Sequence, residues 1–215
     1  MNMRHFLPVT FVMLLASAPA AFAQKWEVGV GGGGSFYTSQ SFTNPSGNAS
    51  GKLASGFIVS GWLGNNSGKT WGGELRYDYE KSDLKLSSDG TNVNFGAHTQ
   101  AIHYDAVLNF ASKEARMSPF VSAGAGVKVF TGTGKEQAFQ PLSKIALLTK
   151  TSQLEPLVSV GGGVKFNLSS STQFRVEAHD YLSPFPSKVI APSLGSKVGG
   201  WLSDLVIMAG ISFTF

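Results

Sequence analysis

Apolar and polar residues alternate with a period of two along most of the chain, as in β-strands that have one apolar and one polar face. From Trp71 to Glu80, the residues Trp71, Gly73, Leu75, Tyr77 and Tyr79 fall on one face, and Glu74, Arg76, Asp78 and Glu80 on the other. Ile102, Tyr104, Ala106, Leu108 and Phe110 likewise oppose His103, Asp105 and Asn109. Val121, Ala123, Ala125, Val127 and Val129 oppose Ser122, Gly124, Gly126 and Lys128. Val158, Val160, Val164 and Phe166 oppose Ser159, Gly161, Gly163 and Lys165, and Phe174, Val176 and Ala178 oppose Gln173, Arg175, Glu177 and His179. Leu205, Ile207, Ala209, Ile211, Phe213 and Phe215 oppose Asp204, Ser212 and Thr214. Two earlier segments bring the expected strands to about eight. Trp26, Val28, Val30 and Phe36 mark the first. Leu53 to Leu63 is the second, where Phe57 and Val59 compete with Ile58 and Trp62 for the apolar face.

The connections alternate between short and long. Short ones fall near Asn65-Asn66-Ser67-Gly68, Ser112-Lys113-Glu114-Ala115 and Ser169-Ser170-Ser171, and longer ones span roughly residues 38–51, 81–96, 131–155 and 183–200. Short turns at one end and long loops at the other describe an all-β, up-and-down antiparallel transmembrane barrel, its short turns periplasmic. Ahead of it, Arg4 and His5 precede an apolar run from Phe6 to Ala16, and Ala21-Phe22-Ala23 has the small-x-small form of a signal-peptidase site. The expectation is a signal peptide over 1–23, cleaved after Ala23, and a barrel domain over 24–215. The apolar run is too short for a spanning helix, which needs ~20 residues.

The direction of the apolar face follows from magnitudes. A soluble lipocalin-like barrel turns it inward and an outer-membrane barrel turns it outward. The clear strands carry no charge in the centre of that face. A Lys or Arg at the bilayer midplane costs about 2–4 kcal/mol, which explains why they are kept away. Trp26, Trp71, Phe110 and Phe215 stand at one rim of the apolar rows, and Tyr77, Tyr79 and Phe36 at the other. Two aromatic girdles suit a layer with two interfaces. The last strand, Met208-Ala209-Gly210-Ile211-Ser212-Phe213-Thr214-Phe215, alternates to a terminal phenylalanine. It resembles the C-terminal signature of bacterial outer-membrane barrels, with Phe213 and Phe215 as the signal read by the barrel-assembly machinery. With its strand count and leader, the chain resembles the small OmpA/OmpX-type barrel superfamily, without a following peptidoglycan-binding domain. The resemblance implies residence in the bacterial outer membrane, with outer-membrane lipid and the assembly machinery as partners.

Composition narrows the function further. The 215 residues contain no cysteine, which excludes disulfide staples and thiolate metal sites. The formal charge of +4 is scattered, so there is no nucleic-acid footprint. Gly64-Asn65-Asn66-Ser67-Gly68-Lys69-Thr70 comes close to a phosphate-binding loop, but it is one residue short and a strand follows where a helix is needed. Gly29 to Gly34 and Gly161 to Gly163 open no helix. They read as positions where a curved sheet bends and leaves interior room for larger side chains opposite.

The polar face holds Glu74, Arg76, Asp78, His103, Asp105, Lys128, Lys165, Arg175, Glu177, His179 and Asp204. If Asp89-Gly90 makes a two-residue hairpin turn, facing residues have numbers that sum to 179. Arg76 then meets His103, Leu84 meets Phe95, and Leu86 meets Val93. An eight-stranded interior is narrow enough for side chains to fill, and buried charges there must be paired. The expectation is a plugged polar core. The functional alternative is a gate in a narrow pore for ions or small solutes. A hydrolytic, lipid-modifying site would need a serine beside His103 or His179, and the spacing shows none. No cofactor or metal is implied. Pro141 to Leu148 reads as a short external helix. That segment and the apolar stretch Pro184 to Pro192 are where an extracellular partner would bind, giving a non-enzymatic envelope or surface-interaction role.

Overall fold

The computed structural model describes residues 26–44, 47–66, 70–88, 91–112, 115–135, 140, 142–193, 196, 198 and 200–215. The leader over 1–23, the Asp89-Gly90 turn, Lys69 and Pro141 lie outside the described residues. The chain forms β1 (Trp26–Tyr37), β2 (Gln40–Asn44), β3 (Gly47–Leu53), β4 (Gly56–Asn65), β5 (Trp71–Lys81), β6 (Leu84–Ser88) and β7 (Thr91–Phe95). It continues with β8 (Ala97–Asn109), β9 (Met117–Gly132), β10 (Ala146–Leu148), β11 (Ser152–Asn167), β12 (Thr172–Pro184), β13 (Ile190–Pro192) and β14 (Trp201–Thr214).

Eight of these strands close a barrel in the order β1-β14-β12-β11-β9-β8-β5-β4, antiparallel throughout. Closure joins β1 to β14, with Val28 opposite Phe213 and Phe36 opposite Leu205. Past the last ladder pair, the backbones of Trp26 and Phe215 exchange two hydrogen bonds of 3.1 and 2.9 Å. The register between β5 and β8 sets Arg76 opposite His103, and β6 and β7 set Leu84 opposite Phe95 and Leu86 opposite Val93, as the sequence register requires.

The faces sort by parity. Val28, Val30, Leu75, Ile102, Val121, Val160, Val176 and Ile207 are exposed on the outside of the barrel. The ambiguous strand is settled: Phe57 and Val59 are each 52% exposed, whereas Ile58 and Trp62 are 1% and 3% exposed and point inward. Trp26, Trp71, Phe110, Phe213 and Phe215 stand outward at the turn end, and Phe36, Phe57 and Tyr77 stand outward toward the loop end. Asp180 also lies on the outward face, near the loop end, where it accepts a 2.7 Å hydrogen bond from Ser203. At the turn end, Ser169 Oγ accepts the N–H groups of Ser171 and Thr172, which fastens the short connection between β11 and β12.

At the loop end the long connections are folded. β2-β3-β6-β7 form a four-stranded sheet and β10-β13 a two-stranded one. Their inner faces supply Phe42, Leu53, Leu84, Leu86, Phe95, Leu148 and Ile190 to an apolar cluster that also takes in Tyr37, Phe130, Phe185 and Leu202. Phe42 meets Phe185 edge to face at 5.7 Å. The external helix expected over Pro141 to Leu148 is not formed. Residues 142–145 make one turn, with Ile145 and Ala146 N–H both bonded to Leu142 O, and the chain then extends as β10. Gln140 holds Leu148 by both backbone groups, at 2.8 and 3.0 Å, and β13 offers a ladder partner, so Ala146 and Leu148 are buried and Leu147 is exposed, in the alternation of a strand.

Ile207 stands mid-band on the outward face, between Gly34 and Ala178. Ile207→Arg is expected to cost about 2–4 kcal/mol and to lower the urea midpoint and the heat-modifiable folded fraction. Thr43→Arg, on the exposed side of β2, should stay within about 0.5 kcal/mol of the parent. Equal behaviour of the two would overturn the face assignment.

Candidate functional site

Glu74, Arg76, Asp78 and Glu80 rise along the inner face of β5 in steps of two, because successive side chains of a strand alternate sides. Each meets a different set of partners, and together they form a ladder of charge along the barrel axis. At the turn end, Glu27 on β1 takes Lys165 at 3.2 Å, Arg175 at 3.5 Å, Trp62 Nε1 at 3.1 Å and Asn66 Nδ2 at 2.9 Å. One step up, Arg76 bonds Glu74 and Glu177, the latter at 2.7 Å, while Arg175 bonds Glu74 at 2.8 Å and Glu177 at 2.6 Å. Two guanidiniums and two carboxylates thus form a closed quartet. Trp62 packs against it, its ring 5.2 Å from Arg76 and 4.6 Å from Arg175.

The third level centres on His103. Its Nδ1 lies 2.9 Å from Asp105 and its Nε2 lies 3.0 Å from Asp78. With a carboxylate on each side, the arrangement suits the imidazolium, the form in which both ring nitrogens donate. Tyr181 donates to Asp78 at 2.8 Å and lies edge-on to the His103 ring. At the fourth level, Lys128 bonds Glu80 at 2.9 Å and Asp204 at 2.6 Å, and Tyr37 donates to Glu80. The rings of Tyr37, Phe130 and Tyr181 stand 4.8–5.7 Å from the Lys128 ammonium. Above this level begins the apolar cluster of the loop end.

All eleven polar-face residues named from the sequence therefore lie buried inside one barrel. Their pairing differs in one respect: Arg76 faces His103 across the ladder yet spends its charge on Glu74 and Glu177, and Asp105 belongs to His103. Sequence reasoning left Glu27, Trp62, Tyr37 and Tyr181 out of the set, and counted Glu80 on the polar face without joining it to the charges. Parity was the available signal. Glu27 sits between outward Trp26 and Val28, and Tyr181 follows His179 by two. The spacing argument against a serine beside a histidine also fails here. Ser159 Oγ lies 3.5 Å from His179 Nδ1, brought there by the β11–β12 register, and donates to Asp105 at 3.4 Å. Both residues are fully buried among the paired charges, so no bilayer lipid reaches this serine.

The glycines make room for these side chains. A Cβ at Gly29 would fall 2.3 Å from the Trp62 ring, and one at Gly161 would fall 2.4 Å from His179 Nδ1. Each of these large side chains lies over the bare backbone of its ladder partner on the adjacent strand.

Residues 9–184 match a protein family described as outer membrane protein beta-barrel domain. Among solved structures, Neisserial surface protein A superposes with a TM-score of 0.56 at 11% identity, over 88% of this chain and 97% of that one. The outer membrane protein OprG from Pseudomonas aeruginosa gives 0.55 at 12% identity, over 89% and 97%. At such identities the likeness is one of fold. No curated protein sequence matches the chain.

Removing Arg76 leaves Glu74 and Glu177 to share Arg175 alone, with one buried negative charge uncompensated. Arg76→Met is expected to destabilise the folded barrel by about 3–5 kcal/mol in urea unfolding. Adding Glu74→Gln to it keeps the Arg175–Glu177 pair, restores charge balance and should recover part of that loss. No recovery in the double variant would mean that Arg76 acts through shape and not through charge.

Proposed function

The chain belongs to the outer membrane protein β-barrel domain family, and we propose that within the outer membrane it is a closed, non-conducting and non-enzymatic surface protein. Its loop end faces outward and carries the interaction surface. The observation that supports this most is the double seal of the interior. The lower storey is filled by charges that pair with one another, and the upper storey is an apolar plug contributed by four folded loops. An ion entering from the loop end would first cross side chains that offer it no ligand, and then break pairs that are each buried. An eight-stranded barrel filled in this way has no aqueous channel.

Folding of the loops also bears on role. A pore gains nothing from two ordered sheets over its mouth, whereas a recognition surface gains rigidity, which lowers the entropy lost on binding. The sheets expose Ser41, Thr43, Asn48, Lys52, Lys85 and Asn94, a polar face suited to hydrated partners. Phe213 and Phe215, outward on the closing strand, are the positions we assign to engagement of the assembly machinery.

Single-channel recording of the chain refolded in a planar bilayer tests the closed reading, with heat-modifiability proving the fold. Silence is expected from the parent and also from Arg76→Ala, because the apolar plug remains. Discrete, reproducible openings in the parent would replace this reading with a narrow pore. Openings confined to Arg76→Ala would make the quartet, and not the plug, the barrier.

A further inference from the structure

Beyond the outer aromatic girdle, one side of the barrel rises into the loop-end sheet without a break in its alternation. Phe57 and Lys81 are partners at the top of the β4–β5 ladder, Ala54 N bonds Asp83 O, and Lys52 and Lys85 are partners between β3 and β6. Lys81, Asp83 and Lys85 therefore lie on the same outward side as Tyr77 and Tyr79, and Lys52 stands directly opposite Lys85. All three lysines are exposed.

Two features of this column have no explanation inside the fold. Lys52 and Lys85 are cross-strand neighbours, with Cβ atoms expected about 5 Å apart, a placement in which like charges repel. None of the three lysines makes an ion pair with another described residue, even though Asp83 shares their face. The chain could have relieved the repulsion with an acidic residue at either position, as it does at every level of the interior. Beside Lys81, its ladder partner His98 stacks on Tyr79 at 5.6 Å, and Tyr77 donates to Gln100 at 2.8 Å. Aromatic rings with polar tips at this height mark the level where hydrocarbon ends and headgroups begin.

We propose that Lys52, Lys81 and Lys85 form a docking face for a phosphorylated glycolipid of the outer leaflet, whose acyl chains lie along Phe57 and Tyr79. Lys81 stands at the height of phosphate nearest the acyl chains. Lys52 and Lys85 stand above it, where phosphate carried further out on the sugar lies. An anion between Lys52 and Lys85 turns their repulsion into a bidentate grip. His98 and Gln100 supply hydrogen bonds to the sugar hydroxyls beside it. The inference rests on the outward orientation of the loop end given above. It does not depend on whether the barrel conducts.

The test is a native mass spectrometry titration of the full chain, folded in neutral detergent, with bisphosphorylated lipid A. The same lipid stripped of phosphate serves as the comparison. The parent is expected to bind the phosphorylated lipid at least about tenfold more tightly, and Lys52→Ala/Lys81→Ala/Lys85→Ala to lose about tenfold. Lys135→Ala/Lys188→Ala removes charge elsewhere on the loop end and should bind as the parent does. Heat-modifiability and silence in the bilayer establish that each variant is folded and closed. A failed titration with a silent, folded barrel therefore rejects the lipid face alone. Equal binding by the triple variant, an equal loss in the Lys135/Lys188 control, or indifference to phosphate would overturn the proposal. Binding of a soluble sulfated polysaccharide at this face without binding of lipid A would overturn it too.

Discussion

Hydrocarbon offers no hydrogen-bond partner to a peptide group, and the architecture depends on this constraint. A sheet in a bilayer must bond every N–H and C=O to itself, so it must have no edge. Here that condition is met at the seam between β1 and β14, which carries a continuous ladder from Glu27 opposite Thr214 to Tyr37 opposite Asp204. Once the sheet is closed with its apolar face outward, the charged side chains that lie at the depth of the apolar band are confined to a narrow core. The ion pairs inside follow from this enclosure. Their net contribution to stability is small, because desolvation opposes attraction, but leaving any one of them incomplete is costly.

The enclosure also explains the distribution of small residues. An interior that holds Trp62, Arg76, Arg175 and Lys128 fully buried cannot carry side chains on every wall. The bare stretches at Gly29, Gly31, Gly161 and Gly163 face inward where those large groups cross, and at each of them a Cβ would collide with a side chain or with the neighbouring backbone. Composition and electrostatics are thus coupled: the glycines that look like weak points in a strand are what allow a dense charged core.

Much of this was legible in the sequence because a barrel strand repeats one simple rule. Parity assigned inside and outside for Glu74 to Glu80 and for Arg175 to His179, and one turn register set the pairing of two ladders. Pairing across the lumen was not legible. Arg76 meets Glu177, which lies 101 residues away, and only the stagger of all eight strands brings those walls together. The Leu53–Leu63 segment leaves its face open because both faces carry apolar residues, and Trp62 is turned inward by the two guanidiniums it covers. Residues 141–148 carry helix formers, but tertiary burial against the barrel mouth overrode local propensity and made β10.

The seam has a consequence for how the molecule comes into being. Its contacts join residues such as Val28 and Phe213, nearly the whole chain apart, whereas each hairpin joins near neighbours. Local hairpins form quickly and long-range closure is slow, so the seam is the late event. Glu27 lies on one side of that seam, and its partners Lys165 and Arg175 lie on strands that reach it only when the sheet has curled shut. Until then those charges remain solvated. The dehydration of the core and the shutting of the wall must therefore happen together, and an open-sided intermediate would be wet inside and apolar outside. Such a species cannot rest in free solution or in lipid, and it needs a surface that shelters both faces until the last strand arrives.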